Sequence, residues 1–214
     1  MNAVRKKMVI VGNASSGKTS VLNRYRSAKF NETYVPTIFS NTLETIREGN
    51  ILLELCIGDT SGQIKHRPLR HLSYADVNVI VICYSIDSQD SFDNIIKVWI
   101  PEVKNYCPNI PIILLGNKID LRARTNNDGE LVTNMPNILK YEDGRNIANT
   151  VKALAYLECS AKTNEGIDHV FEHIIRTTCQ TNKKMRKSRS VVSYNQHDSI
   201  FVANYIRILK LCAL

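Results

Sequence analysis

The chain of 214 residues carries 28 Lys and Arg against 20 Asp and Glu, a net charge of +8, and its length suits one domain with a substantial core rather than two. The positive excess is concentrated: residues 181–214 hold seven Lys or Arg and one Asp, a net of +6, which leaves residues 1–180 at +2. A near-neutral domain with a basic appendage argues against a nucleic-acid-binding domain, whose basic stripe would lie on the folded surface, and for an appendage that meets an anionic surface.

The first predicted element is a buried strand over Met8–Val11, an apolar run too short for the core of a signal peptide. "GNASSGKT" (Gly12–Thr19) follows and matches G-x-x-x-x-G-K-[ST]; behind it Val21, Leu22 and Tyr25 share one face of a helix. A loop in that context turns its N–H groups into one concavity at a helix N-terminus, where the dipole favours phosphate. The candidate contacts are Gly12, Asn13, Ala14, Ser15, Ser16, Gly17, Lys18, Thr19 and Ser20, with Lys18 expected on the β and γ phosphates and Thr19 on Mg²⁺.

Next, "NTLETIR" and "ILLELCI", joined by "EGN", read as a hairpin that adds one antiparallel edge strand. "DTSGQ" (Asp59–Gln63) ends the second of these strands. Asp59 is placed to hold Mg²⁺ through water, the Gly62 N–H to face a γ phosphate, and Gln63 to orient an attacking water. Buried strands are expected again over Val77–Ile82 and Ile110–Leu115, the latter ending in "GNKID" (Gly116–Asp120). The Asp120 carboxylate can accept both the guanine N1–H and the 2-amino group, a pair adenine lacks; the Lys118 stem can lie over the base beside Asn117. This speaks against an ATP-using kinase or ATPase.

Residues 122–142 are polar, contain Gly129 and Pro136, and read as a surface excursion. A last strand, Leu154–Cys159, leads into "CSAK", where Ser160, Ala161 and Lys162 border the same site and the Ala161 N–H is placed for the guanine carbonyl. The final helix carries Ile167, Val170, Phe171, Ile174 and Ile175 at helical spacing. Strands alternating with helices predict an α/β fold: a mostly parallel six-stranded sheet with one antiparallel edge strand and helices on both faces. The helical pattern stops near residue 181, where "KKMRKSR" (Lys183–Arg189) begins a tail. The six cysteines, Cys56, Cys83, Cys107, Cys159, Cys179 and Cys212, form no CxxC pair and have no His at zinc spacing, which predicts a reducing, cytoplasmic setting. No run approaches the ~18 apolar residues of a membrane span, so membrane contact is expected to be peripheral.

The four motifs in this order resemble the Ras-like small GTPases, a family with the P-loop NTPase fold. "YVPTIF" (Tyr34–Phe39), "SIDSQDSFDNI", "WIPEVKNYCPNIPIILLGNKIDLR" and "LECSAKTNEGIDHVFE", with the extra segment 122–142, are similar to the Rho and Rac branch. The likeness spans about residues 5–180, implying a GTP-binding domain over 1–180 and a basic, partly amphipathic tail over 181–214. It implies that Phe30 packs on guanine, that Tyr34 covers the phosphates, and that Thr37 is a second Mg²⁺ ligand and γ-phosphate sensor. Lys18, Thr37 and Gln63 then serve slow hydrolysis of GTP to GDP. Loops 30–42 and 59–74 would act as switches for effectors, exchange factors, GTPase-activating proteins and a dissociation inhibitor. A monomer acting in cytoskeletal or cell-shape signalling is the family expectation.

The sequence departs from that pattern in places. Ala14 stands where Rho-like loops have glycine; its methyl projects toward the γ phosphate and the space that Gln63 and an arginine finger share. Its backbone is unstrained only if φ is negative. Impaired, poorly stimulated hydrolysis is expected, the alternative being a GTP-holding interaction module with negligible hydrolysis. Gly58, Ile64 and His66 replace an aromatic, an acidic residue and a tyrosine. Cys212 is third from the last residue, where a prenylation box needs it fourth. "IFVANYIRILKLCAL" would put Phe201, Tyr205, Ile208, Leu209 and Cys212 on one helical face, a surface-binding stretch beside the 183–189 cations.

Overall fold

The computed structural model describes residues 2–27, 30, 35–48, 51–122 and 138–187. Strands β1 (Asn2–Val11), β2 (Phe39–Glu48), β3 (Ile51–Thr60), β4 (Val79–Ser85), β5 (Ile112–Asn117) and β6 (Ala155–Cys159) form one sheet in the order β2-β3-β1-β4-β5-β6. Every pairing is parallel except β2 with β3, where Phe39 lies opposite Thr60 and Glu48 opposite Ile51. The expected mixed sheet and its antiparallel edge strand are therefore present.

The apolar runs follow from burial on both faces. Met8 and Ile10 of β1, Val79 and Val81 of β4, and Ile113 and Leu115 of β5 point into one core layer. Their neighbours Val9, Val11, Ile80, Ile82, Ile112 and Leu114 point into the other. Helices α1 (Lys18–Ser27) and α6 (Ile167–Lys187) cover the first layer through Val21, Leu22, Val170, Phe171 and Ile174, and the rings of Tyr25 and Phe171 stack at 3.6 Å. Helices α3 (Gln89–Asn94), α4 (Ile100–Tyr106) and α5 (Tyr141–Val151) cover the second, while the short α2 (Arg67–Leu72) follows β3. Burying one Ile or Leu side chain contributes roughly 1.5–3 kcal/mol, and these two layers supply most of the drive to fold.

Two features differ from the sequence expectation. Between α3 and α4 the chain makes a π-helical turn over Ile95–Trp99, closed by the Ile100 N–H on the Ile95 carbonyl. Pro101 follows it and has no N–H to close an α-helical bond onto Lys97, so the wider turn costs little there. At the other end, the α6 backbone runs to Lys187, so the segment read as tail begins inside a helix. Most of the predicted excursion (123–137), Tyr34 and the amphipathic stretch lie outside the described residues. The base of the excursion is pinned: Arg122 forms a two-pronged pair with Glu158 at 2.6 and 2.8 Å and donates to the Leu139 carbonyl at 3.0 Å.

Helix α5 meets the sheet at Gly144, where a Cβ would lie 2.1 Å from the Tyr156 hydroxyl oxygen and 2.4 Å from that of Tyr84, two groups hydrogen-bonded to each other at 2.8 Å. Gly144→Ala is expected to destabilise the fold by about 1–3 kcal/mol, read as a lower urea midpoint. An unchanged midpoint would show that this contact yields without cost.

Candidate nucleotide site

The motif residues gather at the C-terminal edge of the sheet, beside the point where chain order reverses between β1 and its neighbours β3 and β4, the place where open α/β sheets bind ligands. The loop after β1 curls because Gly12, Ser15 and Gly17 have φ of 145°, 62° and 88°. That curl turns the Gly12 and Asn13 carbonyls onto the Lys18 ammonium at 2.9 and 2.8 Å. Burial pushes the Lys18 ammonium below its ordinary value, so an anion would be a favourable neighbour. The loop encloses one side of a cleft of about 440 Å³ lined by Ala14, Ser15, Gly17, Lys18, Thr19 and Ser20, with Phe30, Thr37, Gly62, Gln63, Asn117, Lys118, Asp120, Ala161 and Lys162 across it.

Three sequence-nominated loop residues turn elsewhere. Gly12 and Asn13 serve through their carbonyls, and the Asn13 side chain points away to α3 and the π turn. Its Oδ1 accepts from Trp99 Nε1 at 2.8 Å and from Asn94 Nδ2 at 3.3 Å. Ser16 is buried, and its hydroxyl has no hydrogen-bond partner. Ala14 is not among the non-glycine residues with positive φ, so its methyl carries no backbone strain.

The three nominated metal ligands converge. Thr19 Oγ1 donates to Asp59 Oδ2 at 2.6 Å and lies 2.8 Å from Thr37 Oγ1. Asp59 is 3% exposed, its Oδ1 has no hydrogen-bond partner, and burial holds its carboxyl above the usual carboxylate range. Two hydroxyls and an under-satisfied buried carboxylate form an all-oxygen donor set that fits a hard cation such as Mg²⁺.

At the end of the cleft nominated for the base, Asp120 Oδ1 accepts from Ser160 Oγ at 2.6 Å, which leaves its second oxygen for a ligand. Ser160 is fully buried and reaches the site through Asp120. Asn117 lines the cleft and also braces it: Nδ2 donates to the Ser16 carbonyl at 2.9 Å, and Oδ1 accepts from the Ala161 N–H at 3.4 Å, the N–H nominated for guanine. Lys118, in a left-handed conformation, is drawn toward Asp87 at 3.4 Å. Arg24 of α1 donates to the Ala161 carbonyl at 2.7 Å and to that of Lys162, a brace no motif announced.

The segment after β3 is anchored by further residues that sequence reasoning missed. Arg70 pairs with Glu102 through two hydrogen bonds of 2.6 and 2.9 Å, and the Tyr74 hydroxyl adds a third at 2.7 Å. Burial alone would raise the Glu102 carboxyl, but Arg70 and Tyr74 together hold it below its ordinary value. Arg70 also donates to the Ser61 carbonyl at 2.7 Å and lies 4.8 Å over the Trp99 ring. A continuous chain of contacts thus joins Asn13, Trp99, Arg70 and the backbone ahead of Gln63. Gly62 is pressed onto the phosphate loop: a Cβ there would lie 2.2 Å from the Ala14 nitrogen and 2.3 Å from the Asn13 carbonyl carbon. Gly58, opposite Asn41 of β2, has the Val9 side chain and Asn41 Oδ1 where a side chain would begin.

A phosphate loop between β1 and α1, an oxygen-ligand cluster at the end of β3 and a carboxylate after β5 define a P-loop nucleotide-binding protein. The family model for the Ras family matches residues 7–180, and the chain belongs to that family. It is thereby a small GTPase, a GTP-binding and GTP-hydrolysing protein, of a family that typically works with Mg²⁺.

The buried Asp59 charge yields a prediction with a definite sign. A carboxyl whose folded pKa is raised favours folding when protonated, and that contribution is lost as pH rises through the folded value. Asp59→Asn is therefore expected to raise the unfolding midpoint of the nucleotide-free protein at pH 7. The gain should fade as pH falls through the raised folded value and be gone below about 3.8, the ordinary value. The same variant should weaken Mg²⁺-dependent GTP binding at least about tenfold. Equal midpoints at pH 7 would refute the assignment of an uncompensated charge.

Proposed function

We propose that this Ras-family chain is a Rho-like switch whose GTP is read by partner proteins and turned over slowly. The observation that carries this reading is the convergence of Lys18, the Thr19–Thr37–Asp59 cluster and Asp120 on one cleft. In it, the N–H groups of residues 13–20 and the Lys18 ammonium hold the phosphates. Thr19 and Thr37 would ligate Mg²⁺, with Asp59 acting through water. Held there, Mg²⁺ would supply charge neutralisation to the phosphates. Phe30, Asn117, Lys118, Asp120, Ser160, Ala161 and Lys162 form the guanine end, and Gln63 and the Gly62 N–H attend the water and the γ phosphate.

The partner surface lies on loops 30–42 and 59–74. Val35, Ile38, Ile64 and Leu72, with Leu43 just beyond the first loop, are each more than half exposed although apolar, a pattern that marks a docking area. Effectors, exchange factors, activating proteins and a dissociation inhibitor are the partner classes proposed for it, and cytoskeletal or cell-shape signalling is the proposed setting. The test of the whole reading is the nucleotide found on the purified protein, followed by competition. GTP and GDP should displace a labelled guanine nucleotide while ATP at a hundredfold excess should not; displacement by ATP would overturn it.

Ala14 favours a second reading, a GTP-holding interaction module with negligible hydrolysis. The methyl is unstrained, so its effect falls on the space around the γ phosphate. Ala14→Gly should raise hydrolysis stimulated by a Rho-type activating protein about 10- to 100-fold while leaving GTP affinity nearly unchanged, measured by single turnover. Equal stimulated rates in the two proteins would remove Ala14 from the account.

No helix among the described residues is long and apolar enough to cross a membrane. Peripheral attachment at the cytoplasmic face through the basic segment 183–189 and the stretch beyond it is part of the proposal, each cation adding about 1 kcal/mol near an anionic leaflet. Vesicles containing phosphatidylserine should float the full chain, and floating should weaken on truncation after residue 187 and vanish on truncation after 182. Equal flotation of all three would exclude the tail as the anchor.

A further inference from the structure

Ser61 and His66 bring a nucleophile and a base to the edge of the cleft that the reading above assigns to GTP. Ser61 lines that cleft, and its Oγ lies 2.8 Å from His66 Nδ1. The Gln63 N–H donates to the same oxygen at 3.2 Å. The amide can only donate, so the hydroxyl hydrogen is free to point at His66 Nδ1 when that nitrogen is the unprotonated one. A hydroxyl within hydrogen-bond reach of an imidazole is the arrangement that activates a serine for attack.

The pair sits on braced backbone. The Arg70 guanidinium, buried and paired with Glu102, fixes the Ser61 carbonyl at 2.7 Å. On the other side, Gly62 rests on the Asn13–Ala14 peptide. Ser61, two residues after Asp59, lines the cleft with Lys18, Thr19 and Gly62, groups that the reading above assigns to the phosphates and Mg²⁺.

We propose that Ser61 accepts the terminal phosphoryl group of the chain's own bound GTP, with His66 as the base, in competition with water. The proposal rests on the GTP reading of the cleft. The Ser61 Oγ–Pγ bond forms as the bond from Pγ to the β–γ bridging oxygen breaks. The electron pair leaves on GDP, and the hydroxyl proton passes to His66 Nδ1. One GTP is consumed per chain, and the products are GDP and phosphoserine, with no further reactant. The new group carries about two negative charges near neutral pH and stands where a third nucleotide phosphate would lie. The modified chain can hold GDP but is barred from GTP, so one transfer locks the switch off.

The full chain is loaded with GTP labelled at the γ phosphate, with GDP labelled at the β phosphate as control. Acid-stable label should accumulate on the protein from GTP alone, to no more than one per chain, and peptide mass spectrometry should place it on Ser61. Ser61→Ala should abolish it. His66→Asn keeps an amide oxygen near the position of Nδ1 without its basicity, and should slow labelling about 100-fold or more while GTP binding, read by filter retention, persists. A chain that binds and hydrolyses GTP yet carries no phosphate on Ser61 overturns the proposal and leaves the GTP reading standing. Label on another residue, acid-labile label on His66, or full-rate labelling in His66→Asn also overturns it. A chain that retains no GTP on the filter overturns both.

Discussion

A lysine ammonium taken out of water must be compensated, and the phosphate loop is shaped around meeting that demand at Lys18. The curl that brings the Gly12 and Asn13 carbonyls within 2.9 Å of Nζ needs backbone that turns through positive φ at Gly12, Ser15 and Gly17. Carbonyl oxygens satisfy the ammonium's hydrogen bonds without neutralising its charge. Asp59, at the end of the neighbouring strand, carries the opposite imbalance, with one buried oxygen unmet. The fold holds a buried cation and a buried anion close together and gives the hydrogen bonds of each to other groups. A polyphosphate with a divalent cation answers both, and the buried, unpartnered Ser16 hydroxyl marks further polar capacity beside the loop. Affinity for such a ligand is here the relief of a cost already present in the folded chain.

The second constraint couples that loop to the segment after β3. A buried Arg–carboxylate pair is poor evidence for net stability, but Arg70 gives more than a pair: it holds the Ser61 carbonyl and covers Trp99, whose indole N–H reaches Asn13. Glu102, Tyr74 and the π turn fix where those groups stand. The inner side of the segment is tied into the core, while Ile64 and Leu72 on its outer side are 85% and 74% exposed. A short chain of contacts therefore joins the phosphate loop to this exposed apolar surface.

Sequence made the strands, the mixed sheet and the cleft-facing motifs legible because each depends on local order: buried runs of alternating layers, a loop of fixed spacing, a carboxylate at a strand end. The bracing groups were illegible for the complementary reason. Arg24, Arg70 and Glu102 are ordinary charged residues on helical segments, and only the packing of α1 against the 161–162 loop and of α2 against α4 assigns their partners. Asn13 and Ser16 matched the loop pattern, yet the curl turns their side chains away from the cleft. Trp99 had one visible signal, the proline two residues later, which argues for a disturbed helix but says nothing about where the indole points. The contact between Ser61 and His66 spans five residues, yet it arises only because the chain turns through Ile64–His66 immediately after β3.

Ala14 takes its meaning from the same geometry. Backbone strain is ruled out by its φ, and the Lys18 and Asp59 environments do not involve its side chain, so a penalty on binding has no physical source here. What the methyl can do is narrow the room beside Gly62 and Gln63, where a free water must find an in-line position. Loss of room penalises a nucleophile that has to be recruited from solvent more than one already fixed to the backbone, since positioning is what a tethered group brings in advance. The Ser61 hydroxyl is such a group, oriented by the Gln63 N–H and His66. If the Ala14 methyl handicaps water at this site, the same departure leaves the chain's own oxygen as the better-placed competitor.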